Sequence, residues 1–144
     1  MRVAVMRNKQ YKGVLLVCDI KFKENAIKVL ELEPIAELNI DDSDTVYTVL
    51  EAESMQSDNK IISNTPDYLC TGNPVEISTD FEKIKECIES ELQDNKNISL
   101  TAFSKSDNKF KNVCSVLIRG KDRYATIDCK DKERYKNIVE YFSA

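Results

Sequence analysis

The chain has 144 residues, 42 % apolar and 32 % charged, with a formal net charge of −4. That length makes about one domain able to bury roughly two thirds of its unfolded surface. Three glycines and three prolines exclude a long flexible linker, and the charge content predicts a folded core under a well-solvated surface.

Residues 2–7 alternate weakly and predict a short strand, and residues 8–13 supply a turn. The run Val-Leu-Leu-Val-Cys-Asp-Ile at 14–20 has strand length and branched content, which predicts a strand buried on both faces and an N-terminal hairpin. Residues 23–40 are ambiguous: Ile27, Leu30, Glu31 and Leu38 fit a helical face, whereas Ala26, Lys28, Leu30 and Leu32 alternate. Pro34 forbids one uninterrupted element, and the preferred reading is a strand over 26–32 followed by a turn. Asp41-Asp42-Ser43-Asp44 is a loop. Residues 45–52, rich in branched and aromatic side chains, predict a strand. Residues 54–74 are polar and broken by Pro66, Gly72 and Pro74; they read as a long loop with one short strand near 60–63.

The clearest helix spans 79–94. Thr79 and Glu82 have capping-box spacing, and Phe81, Ile84, Cys87, Ile88 and Leu92 repeat on one face. Residues 97–104 then alternate as a strand, 105–111 form a basic connection, and 113–119 put Cys114, Val116 and Ile118 on one face. Gly120-Lys121-Asp122 fits a hairpin turn with glycine supplying the positive φ. Residues 124–128 return with Ala125, Ile127 and Cys129 inward, and Asp131 caps a last helix striped by Tyr135, Ile138, Val139 and Phe142.

The expected fold is therefore α+β: an antiparallel sheet with two amphipathic helices, 79–94 and 131–142, packed on one face. One domain is expected over 1–144, made of a β-rich half (1–78) and a helix-strand-strand-strand-helix half (79–144). In the second half, the helix Phe81 to Leu92, the strand Ile98 to Lys105, the segment Ser115 to Arg119, the polar hairpin and the closing helix resemble the Alu-domain proteins of the signal recognition particle. Those are small α-β-β-β-α domains that bind RNA. The resemblance covers less than half of the chain, rests on apolar spacing, and lacks that family's basic C-terminal tail; residues 1–78 have no counterpart in it. It implies RNA or ribosome association.

Histidine is absent, which removes Ser-His-Asp and Cys-His catalysis, histidine metal sites and the usual neutral-pH proton shuttle. The five cysteines, Cys18, Cys70, Cys87, Cys114 and Cys129, form no Cys-x-x-Cys pair. That argues against zinc and for reduced thiols in a cytosolic or nuclear compartment, with a cytoplasmic protein expected. Cys70 alone reads as an exposed loop thiol. Asp41, Asp42 and Asp44 lack the central glycine of a calcium loop, and no glycine-rich phosphate loop occurs. No metal, cofactor or small-molecule substrate is expected. No apolar run reaches the ~18 residues of a membrane span, and the strand-like start shows no signal peptide.

Charge is segregated. Residues 1–23 and 103–136 each carry a net +5, whereas 24–58 carry −9 and 59–102 carry −4. The basic residues sit with aromatics, and cations with exposed rings suit phosphates and unpaired bases. Arg2, Arg7, Lys9, Lys12, Lys105, Lys109, Lys111, Arg119, Lys121, Arg123 and Tyr124 are thus the candidate RNA-binding set. The expected protein is a non-enzymatic factor that docks on a ribosome or other ribonucleoprotein. The alternative is a protein-interaction module, a regulator or inhibitor, that binds a protein partner through the acidic segment 24–58.

Overall fold

The computed structural model describes residues 1–10, 14–41, 43–54, 68–69, 73–107 and 109–143. In chain order they form β1 (Arg2–Asn8), β2 (Leu15–Asp19), a 3-10 turn (Ile20–Phe22), α1 (Lys23–Leu30), β3 (Leu32–Asn39) and β4 (Thr45–Glu51). Two-residue strands β5 (Glu53–Ser54) and β6 (Tyr68–Leu69) pair with each other. There follow β7 (Pro74–Ser78), α2 (Phe81–Gln93), β8 (Ile98–Ser106), β9 (Lys109–Arg119), β10 (Tyr124–Cys129) and α3 (Lys136–Ser143).

The fold is α+β. One antiparallel sheet has the order β2-β1-β3 and a second the order β10-β9-β8-β4-β7. One face of the larger sheet (Tyr47, Val49, Leu100, Val116, Ile118) packs on Ile84, Ile88 and Leu92 of α2 and Ile138 of α3. The opposite face offers Val46 and Phe103 to Val3, Val5 and Val17 of the smaller sheet. Ala26 and Ile27 of α1 cover that sheet's outer face at Ala4 and Met6. The layers thus run helix, sheet, sheet, helix. The sequence pattern anticipated one sheet with two helices on one face. The α2–α3 face has that arrangement, but a second sheet and a third helix lie behind it.

The largest correction concerns residues 23–39. Residues 26–32 are not a strand: α1 occupies 23–30 and ends at Glu31, whose left-handed φ of 53° stops it. The strand comes afterwards, with Pro34 inside it. Proline is tolerated there because, among the described residues, β3 pairs with β1 alone, at the sheet edge. The ladder also slips at that point, since Val5 faces Ala36 and Met6 faces Pro34. β2 is likewise an edge strand. Only Val17 within it is buried, and Ile20 has left the strand for the 3-10 turn.

Smaller corrections follow from local chemistry. Asp80, not Thr79, caps α2: its Oδ1 accepts from the Glu82 N–H at 3.0 Å. The basic connection is shorter than expected, because Lys105 and Ser106 still belong to β8 and pair with Phe110 and Lys109 of β9. Gly120 does not supply the positive φ of its turn; Arg123 does, at 55°. Glycine is needed at 120 because a Cβ there would strike the Lys96 carbonyl oxygen and the backbone of Asn95. The Asp131 cap is present, with Oδ1 accepting from the Arg134 N–H at 3.1 Å, although α3 proper begins at Lys136. The strand expected near 60–63, and Cys70, lie outside the described residues. Among the described residues no helix is long and apolar enough to cross a membrane.

Candidate nucleic-acid interface

The ten described candidate residues fall into three places. The first is the β1–β3 ladder, where Arg2 faces Asn39 and Arg7 faces Glu33 in register. Arg7 Nε lies 2.7 Å from Glu33 Oε1. Arg2 Nε lies 3.4 Å from Glu37 Oε1, and its Nη1 donates to Asn39 Oδ1 at 3.2 Å. Lys23 Nζ closes on the other Glu37 oxygen at 2.6 Å. The hydrogen bond from Lys23, and then Arg2, holds the Glu37 carboxyl below the usual carboxylate range. The basic N-terminal segment is therefore paired in space with the first part of the acidic segment. Lys9 is exposed; Lys12 lies outside the described residues.

The second place is the β9–β10 turn. The Arg119 guanidinium stacks 4.9 Å from the Tyr124 ring centre and pairs with Asp122 at 3.1 Å. Tyr124 is 58 % exposed, and Lys121 is exposed at the tip. Arg123 Nη2 lies 2.6 Å from Glu89 Oε2 on α2, and the Tyr141 hydroxyl of α3 donates to Glu89 Oε1, also at 2.6 Å. Glu89 thus ties the turn to both helices. The Tyr141 hydrogen bond, then Arg123, lowers the Glu89 pKa, whereas burial, then Glu89, raises that of Tyr141.

A carboxylate with a lowered folded-state pKa contributes stability that is complete above its unfolded value and is lost as pH falls through the folded one. Glu89 is half exposed, so the contribution is under about 1 kcal/mol. The Glu89→Gln protein should accordingly lose less melting temperature than its parent between about pH 5 and pH 3. Parallel melting curves for the two proteins across that range would show that the network has no such role.

The third place is the β8–β9 turn, which carries Lys105, Lys109 and Lys111. β9 spans eleven residues between its two turns, so at about 3.4 Å per residue they stand on the order of 35 Å apart. The candidates therefore do not make one patch. What the fold does bring together is the β8–β9 turn and the start of the chain, with Lys105 Nζ 4.0 Å from Met1 Sδ. Between them runs a groove of about 820 Å³ whose walls include Lys21, Phe22, Lys105, Lys109 and Phe110. Asp19 and Asp107 also line it. Asp19 Oδ1 accepts from the Lys21 N–H at 3.1 Å and so fixes the 3-10 turn. Lys21 Nζ lies 5.2 Å from the centre of the Phe22 ring.

Lys21 and Phe22 were absent from the sequence-derived set. Their signal was the consecutive Lys-Phe-Lys at 21–23, hidden by its position at the end of an apolar run. Two of the described thiols, Cys87 and Cys114, offer little nucleophilic character. Burial, then neighbouring carboxylates, pushes Cys87 up to about 11. Burial, then the facing Cys129, pushes Cys114 up to about 12, so both stay protonated at neutral pH. Among the described residues no cluster of three or more His, Cys, Asp or Glu could hold a metal ion. No family model matches the chain, and neither the curated proteins nor the solved structures yield a match.

Proposed function

We propose that the protein is a docking factor without turnover. It occupies a site on a ribosome or another cytoplasmic ribonucleoprotein and contacts RNA through Lys21, Lys105, Lys109 and Lys111. The observation that carries this reading is the meeting of the N-terminal segment with the β8–β9 turn, which concentrates lysines from two distant parts of the sequence around one groove. Lysine supports phosphate binding as a mobile point charge on a flexible stem, and each neutralised phosphate releases counterions. The resemblance of residues 81–142 to the Alu-domain proteins supports the same reading. Arg2, Arg7 and Arg123 hold carboxylates of their own chain and stand away from this groove.

Co-sedimentation with ribosomes, and fluorescence anisotropy with a labelled RNA at several salt concentrations, test the reading. Binding should weaken with salt at a log–log slope of about −3 for four contacts on a single strand. Lys105→Glu with Lys109→Glu should weaken it much more than Arg2→Ala. A protein that ignores both RNA and ribosomes at low salt would refute the proposal.

A further inference from the structure

We infer that the groove between the 3-10 turn and the β8–β9 hairpin is a seat for single-stranded RNA, in which an unpaired base stacks on Phe22 while Lys21, Lys105 and Lys109 take the flanking phosphates. This inference rests on the RNA-docking reading and goes further by naming the form of RNA and the residue that recognises it.

Phe22 is the central observation. The residue is 55 % exposed, although an aromatic side chain gains by leaving water. The ring is not on a wandering loop. Asp19 caps the turn that carries it, and α1 continues directly from Lys23, so the backbone under Phe22 is set before any ligand arrives. An exposed ring on a fixed backbone, beside cations, is the arrangement that binds single strands with little sequence preference. The groove volume of about 820 Å³ lies within the range of about 300–1,000 Å³ typical of ligand sites.

A duplex does not fit this chemistry. Its bases are stacked on one another, and a paired helix offers proteins its phosphates, its 2′-hydroxyls and a shallow minor groove. A concave wall with a projecting ring gains nothing from those. Asp19 and Asp107 also argue against a cleft for phosphate alone. Carboxylates repel phosphate but accept hydrogen bonds from the amino groups of adenine, guanine or cytosine edges. Mixed charge around an exposed ring therefore suits a nucleotide rather than a bare polyanion. An acidic peptide is the competing occupant, since it too would pair with the lysines.

The chain contains no tryptophan, so Phe22→Trp installs a single reporter. Titration of that variant with a single-stranded oligoadenylate should quench its fluorescence, and a hairpin duplex of equal length should not. Phe22→Ala should lower affinity for the single strand by about tenfold or more, measured by anisotropy at low salt. If Phe22→Ala binds the single strand as tightly as the parent while Lys105→Glu with Lys109→Glu binds it weakly, the groove inference fails and the docking reading survives. An acidic peptide that displaces the single strand at equal concentration would also overturn the inference. If the parent binds no RNA at all, both fall.

Discussion

Replacing Gly120 by alanine is expected to cost about 3 kcal/mol of folding stability, at the upper end of what forced overpacking costs, and to lower Tm by about 10 °C. The added methyl has nowhere to go. It would overlap the Lys96 carbonyl oxygen and the Asn95 carbonyl carbon, which are backbone atoms and not the ends of flexible side chains. Those atoms are pinned, because the Lys96 N–H donates to the Glu91 carbonyl and the Asn95 N–H to the Leu92 carbonyl at the end of α2. The Gly120 N–H itself donates to Asn97 Oδ1 at 3.0 Å. Moving the β9–β10 turn away to admit the methyl would break that bond and carry Arg123 away from Glu89. Urea denaturation followed by circular dichroism measures the effect. A midpoint unchanged from the parent would mean that the turn relaxes without loss.

Phe103→Ala is expected to cost about 4 kcal/mol, as for other buried phenylalanines. That is a large part of the 5–15 kcal/mol that holds a typical domain together. Phe103 is 4 % exposed and packs with Val46 of its own sheet and with Val3, Val5, Val17 and Ile40 across the gap. Its removal leaves a cavity between the two sheets. If residues 1–144 fold as one unit, the variant melts in one transition shifted to lower temperature, and amides of β1 and β8 lose exchange protection together. Two separated transitions, with β8 still protected while β1 exchanges, would refute the single unit.

The elements that were legible in the sequence are those with one well-buried face. In β9 the alternation of Cys114, Val116 and Ile118 survives because every second residue enters the core beneath α2 and α3. In α2 the spacing of Ile84, Ile88 and Leu92 does the same. Helix α1 was missed for the opposite reason. It buries no residue completely and docks through Ala26 and Ile27, adjacent positions that make no stripe. The apolar run at 14–20 suggested a strand covered on both sides. As an edge strand, β2 does meet apolar groups on both faces, Leu15 and Val17 on one and Leu16 and Cys18 on the other, but only Val17 is buried.

The candidate site was half legible for a related reason. Charge counted along the chain cannot register partners brought in by pairing. Glu33 reaches Arg7 across 26 residues and Glu89 reaches Arg123 across 34, so part of the apparent basic surface is spent internally. The same long-range pairing assembled the groove. Lys21 meets Lys105 and Lys109 only because β2 runs beside the start of β9.

Pro34 in β3 has a consequence for self-association. A sheet edge is a template on which a second copy of the chain can add a strand. Along β3 that addition meets a residue with no N–H to donate, at a slip in the ladder that disturbs its flat repeat. Glu33 and Glu37 stand on either side, and an incoming strand would have to share their edge. Pro34 thus makes this side of the small sheet a poor template for fibril growth from within β3, downstream of the Glu31 position that ends α1.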